Sequence, residues 1–74
     1  MKYLGMTFKN YDELKAWVKQ GKLNEYRKLA KLAVDNLTME LNAMMSDLAS
    51  ELMSNYGVSA DEIESIELEA LALA

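Results

Sequence analysis

Apolar positions recur along the chain at helical spacing, and the breaks between runs are few. There is no Pro, and Gly occurs only at positions 5, 21 and 57, so each glycine carries weight as punctuation. Asn10 followed by Glu13 resembles a capping box, and Tyr11, Leu14, Trp17 and Val18 then repeat on one face until Gly21. A glycine just past the last periodic residue is a natural helix stop, so the pattern predicts a short first helix over residues 10–20. From Leu23 to Tyr56 there is no Gly or Pro, and the β-branched residues are Val34 and Thr38. That run predicts one long central helix over residues 22–56. Ser59-Ala60-Asp61-Glu62 is a second capping box, and a short C-terminal helix over residues 60–73 follows. Alternation around Ile66-Glu67-Leu68 admits a strand pairing with residues 2–8, but Glu, Leu and Ala favour helix and the alternation slips at Ala70. The expected fold class is all-α, one small domain over residues 1–74.

The long helix raises a covering problem. Ala30, Val34, Leu37, Leu41, Met45, Leu48, Leu52 and Tyr56 are spaced 4, 3, 4, 4, 3, 4 and 4 residues apart, a period of about 3.67 per turn that keeps one stripe on one side. Leu29, Leu32, Met39 and Ala43 fall on the other side, where Asn42, Ser46, Ser50 and Ser54 take over further along. At about 1.5 Å per residue the helix would reach roughly 50 Å, and the flanking helices are too short to cover it. A second chain is the simplest cover for so small a protein. The expectation is a homodimer with antiparallel central helices, self-associating through Val34, Leu37, Leu41, Met45, Leu48, Leu52 and Tyr56. The rival is a break near Asn36 or Asn42 that returns the chain on itself as a monomeric four-helix bundle.

Charge is strongly divided along the chain. The total is −4, yet residues 1–31 hold all eight bases against three acids, a net +5, and residues 32–74 hold nine acids and no base, a net −9. Antiparallel mates would bring Lys22, Arg27, Lys28 and Lys31 toward Asp47 and Glu51 of the other copy, setting register more than affinity.

Candidate chemistry is scarce. Without His or Cys the chain has no imidazole base, no thiolate and none of the usual zinc or iron–sulfur ligands. An enzyme is not expected, nor a metal or cofactor, and disulfides are impossible. Asp61, Glu62, Glu64, Glu67 and Glu69 cluster, but acids in a helix's first turn and on a solvated face are ordinary, and their spacing is not that of an EF-hand loop. Met39, Met44, Met45 and Met53 suit an irregular helix interface. No apolar run reaches the length of a membrane span, and a cytoplasmic protein is expected. The tail Leu71-Ala72-Leu73-Ala74 is expected to be the last turn of the third helix packing on the core.

Function is expected to lie in binding. The leading expectation is a non-enzymatic acidic helical protein that binds or inhibits a larger protein, as a homodimer, in the manner of a bacterial or phage accessory protein. Asp47, Glu51, Asp61, Glu62, Glu64, Glu67 and Glu69 would be its partner-binding acids, competing with nucleic acid for a basic groove if the surface acts by mimicry. The alternative is a nucleic-acid-binding module resembling a helix-turn-helix in outline, with Lys15, Lys19, Lys22, Arg27, Lys28 and Lys31 on phosphates and Tyr11, Trp17 and Tyr26 on bases. The net negative charge opposes it, and Tyr11, Trp17 and Val18 fit better as a helix core with Leu14. A third expectation is a structural assembly protein, distinguished by growth past a closed dimer.

Overall fold

The computed structural model describes residues 1–73. A short antiparallel hairpin, β1 (Lys2–Tyr3) and β2 (Met6–Thr7), precedes three helices, α1 (Tyr11–Asp35), α2 (Met39–Asn55) and α3 (Ala60–Leu73). The protein is therefore mostly helical, as its apolar periodicity predicts. The third helix has the expected bounds, with the Ser59 hydroxyl accepting from the Glu62 N–H at 3.1 Å.

The first two helices differ from expectation. The first does not stop at Gly21 but runs to Asp35. Gly21 does not take the left-handed conformation that a C-terminal glycine stop uses, unlike Gly5 and Gly57, and one interior glycine costs only about 1 kcal/mol against Ala. The burial of Leu23, Tyr26, Leu29 and Ala30 beyond it far exceeds that cost. The helix-turn-helix outline falls with the stop, because no turn exists at Gly21.

The expected helix over residues 22–56 is divided at residues 36–38. Asn36 is extended, with φ −159° and ψ 93°, and Thr38 caps α2 by accepting from the Leu41 N–H at 3.1 Å. Asn and Thr are weak helix formers, and Thr is a good N-cap. The break lets α2 fold back antiparallel to α1, so that the Lys22 ammonium lies 2.9 Å from Glu51 of the same chain and Lys15 sits 5.9 Å from the Tyr56 ring centroid. One of the charge pairs expected between two copies, Lys22 with Glu51, is thus made within one, and Lys22 holds its proton above the ordinary lysine range because it donates to Glu51.

The apolar stripe closes on itself at the same fold-back. Leu48 and Leu52 are buried with Leu23, Tyr26, Leu29 and Ala30, and Val34, Leu41, Met45 and Tyr56 pack around them. Of the seven residues expected to self-associate, six are consumed in this intramolecular core and Leu37 alone stays exposed. α3 then runs parallel to α1 and adds Ile63, Ile66 and Ala70, with Val58 closing the preceding turn. α1 packs on both other helices, while α2 and α3 scarcely meet. At about 1.5 Å per residue α1 spans about 37 Å, and it sets the 39 Å long axis of the molecule.

The N-terminal segment is β-structure rather than an unassigned lead. Leu4 and Gly5 have φ of 52° and 79°, both positive, as a two-residue hairpin turn with right-handed strand twist demands. The Phe8 N–H donates to the Met1 carbonyl, and the Met1 ammonium donates to the Phe8 carbonyl at 2.8 Å. This ties a buried Phe8 over Trp17 at 5.6 Å between ring centroids, with Tyr3 edge-on to the same indole at 6.1 Å. Trp17 belongs to this satellite cluster, and the expected Tyr11–Leu14–Trp17–Val18 core does not form: Tyr11 is exposed, and Leu14 and Val18 are only half-buried.

A candidate partner-binding groove

Because α2 and α3 each pack on α1 and scarcely meet, a trough runs between them with α1 as its floor. Toward the chain reversal it is walled by Asn42 and Met45 of α2 and by Glu67 and Leu71 of α3, over Ala30, Val34 and Leu37. Toward the other end the walls are Ala49, Ser50 and Met53 against Ile63 and Glu67, with Tyr26 beneath. The two hollows, about 300 and 280 Å³, adjoin at Asn42, Met45 and Glu67, which line both. From Asn42 to Met53 the trough extends about 16 Å, or three helical turns. Small side chains on this flank of α2, Ser46, Ala49 and Ser50 among them, keep its wall low.

Glu67 is the charged residue of this groove. Its Oε1 accepts from the Tyr26 hydroxyl at 2.6 Å, a contact spanning 41 positions of sequence. Burial, followed by the hydrogen bond to Glu67, raises the Tyr26 hydroxyl far above the ordinary phenol range, so it stays a donor and fixes the carboxylate over the floor. Among the described residues no Lys or Arg lines either half of the groove. At the reversal end Leu37, Met39, Leu71 and Leu73 are all more than half exposed, Met39 at 91%. Neither α1 nor α3 carries a base in its last turn, where a helix C-terminus has partial negative charge; the nearby base is Lys31, one turn back on α1. Leu73 lies exposed beside Lys31, Val34 and Asp35, so the tail is not core as expected, and Ala74 lies outside the described residues.

The acids expected to bind a partner are not gathered on one face. Glu67 walls the groove, whereas Glu51 is paired with Lys22. Asp61, Glu62 and Glu69 sit with Leu23, Arg27 and Ile66 on the opposite flank of α3. Asp47 and Glu64 are exposed. The six bases are likewise dispersed. Lys15 is engaged by Tyr56, just past α2, and Lys22 by Glu51 of α2; Lys19 is half-buried, and the Arg27 guanidinium donates to Asn24 at 3.0 Å. Lys28 and Lys31 are exposed, and Tyr26, expected to stack on bases, is buried at 2% exposure.

Sequence reasoning did not locate the groove, because its walls become neighbours only after α2 folds back. The signal available was the polar run Asn42, Ser46 and Ser50 on the second face of the central segment. Among the described residues there is no group of acids placed to hold a metal ion, and no helix is long and apolar enough to cross a membrane. No protein-family model matches the chain, and neither a curated protein nor a solved structure matches it.

Proposed function

We propose that this protein is a non-enzymatic binding module that acts by occupying the surface of a protein partner through the trough between α2 and α3. The observation that carries the reading is the trough itself, two adjoining hollows that together run along about three turns of α2 and end at exposed Leu37 and Leu71. Leu37 and Leu71 are exposed together in its reversal-end half, and contiguous exposed apolar surface on a small protein marks interaction. Met45 and Met53 line the trough, and the unbranched, polarisable side chain of methionine adapts to irregular partner surfaces.

Site-specific photo-crosslinking in cells that make the protein tests the reading. A benzophenone side chain at Ser46, on the groove wall, should give a discrete adduct with another protein. The same group at Glu25, exposed on α1 away from the trough, should not. No adduct, or equal adducts from both positions, would refute the assignment.

A further inference from the structure

We infer that the occupant of the α2/α3 trough is a basic amphipathic helix of the partner protein. The inference rests on the binding reading above and adds the partner's shape and charge. Shape comes first. Two antiparallel helices over a third leave the vacancy that a fourth helix fills in a four-helix bundle, and about 16 Å accommodates about eleven residues of helix. Apolar contact is offered by exposed Leu37 and Leu71 at the reversal end and Met53 at the other, with half-buried Met45 between them. A helix lying there would seat apolar side chains three and four residues apart.

Charge decides the occupant's sign. Glu67 is the one charged residue that lines the trough, and among the described residues no Lys or Arg lines it. Glu67 holds Oε1 on the Tyr26 hydroxyl, and among the described residues no salt bridge neutralises it. At the apolar end the C-termini of α1 and α3, with no base in either last turn, add partial negative charge, while Asp35 shares its hollow with Lys31 on the flank away from the trough. A Lys or Arg on the occupant would meet Glu67 at mid-groove and the helix carbonyls at the end. A second copy presenting its own α2/α3 face would bring acid against acid, so self-association through this groove is disfavoured by the same charges.

The probe is a synthetic amphipathic peptide of Leu and Lys, about fourteen residues long to span the trough. Two controls accompany it, one with every Lys replaced by Glu and one with the Leu/Lys composition scrambled. Binding to the intact protein is followed by fluorescence anisotropy and by amide chemical shifts. The Lys peptide should bind saturably, shift the amides of Ala49, Ser50, Met53 and Glu67, and lose affinity as salt rises. Glu67→Gln, which keeps a carbonyl acceptor for Tyr26, should weaken it about threefold, within the range of a partly exposed ion pair. Ser46→Arg, at an exposed helical position that tolerates Arg, should abolish binding while leaving helicity intact, and Glu25→Gln should leave binding unchanged.

Equal binding by the Glu peptide or by the scrambled peptide would overturn the inference, as would shifts confined to residues outside the trough. A protein dimer in light scattering that Ser46→Arg dissociates would also overturn it, assigning the groove to a second copy. If no peptide binds while the Ser46 crosslink forms in cells, the basic-helix inference fails and the binding reading stands. If the crosslink also fails, both fall.

Discussion

Replacing Gly21 by Ala separates the two architectures open to the first half of the chain. In the structure Gly21 lies inside a 25-residue helix, is exposed, and a Cβ added there meets no atom within 4 Å. Its φ is not in the left-handed region, where only Gly5 and Gly57 among the glycines lie. Ala therefore gains helix propensity without steric cost, and the expected stabilisation is about 0.8–1 kcal/mol. For a domain of this size each kcal/mol moves Tm by about 4–8 °C. Circular dichroism at 222 nm during heating and urea titration measures it, with an unchanged urea slope certifying that only stability moved. Gly57→Ala is the internal control. Its φ of +66° imposes a left-handed penalty on Ala of roughly 1–2 kcal/mol, while the effect of Ala on the unfolded chain is the same at both sites. Opposite signs at positions 21 and 57 are expected. If Gly21→Ala also destabilised the protein, Gly21 would be ending a helix, and the continuous α1 would be refuted.

Three further outcomes are expected. Thr38→Ala should destabilise the fold by about 1 kcal/mol through loss of the cap on α2, measured by urea titration; a gain in stability would mean an unbroken helix across residues 36–38. Leu4→Asn should stabilise by a few tenths of a kcal/mol, because Asn accepts the positive φ of 52° better than Leu; a loss in thermal melts would mean the Leu4 side chain is held by contacts that outweigh its backbone strain. Tyr26→Phe should cost about 1 kcal/mol for the bond to Glu67 and should also alter the alkaline limb of stability. The folded-state pKa of Tyr26 is raised above the ordinary value of 10.0, so its contribution is complete below that pH. It declines above it by about 1.4 kcal/mol per pH unit, as the unfolded chain alone releases its proton. Urea midpoints from pH 8 to 11 should therefore fall more gently for the Tyr26→Phe variant than for wild type, and identical slopes would refute the assigned burial of the hydroxyl.

Much of the helical content is legible in the sequence because it rests on local chemistry. The absence of Pro, the caps at Asn10 and Ser59, and the Ile63, Ile66 and Ala70 spacing of α3 act within a few residues of one another. The stripe from Ala30 to Tyr56 is the principal apolar face in the structure as in the periodicity, but its destination is not the one the periodicity suggests. One stripe in one phase serves equally for a straight helix against a second chain and for two helices folded face to face. Sequence periodicity does not distinguish them.

Helix, stripe and the segregation of charge follow from the order of the amino acids alone, since helix and stripe rest on residues three and four apart and the charge of each half on its composition. Where the helices end is settled by long-range packing. At Gly21 the burial of Leu23, Tyr26 and Leu29 outweighs a local stop of about 1 kcal/mol. At Asn36–Thr38 a weak helical segment gives way because reversal buries Leu48 and Leu52 against α1. The groove and the Tyr26–Glu67 bond across it exist only after that reversal, when two helices far apart along the chain stand on the same floor.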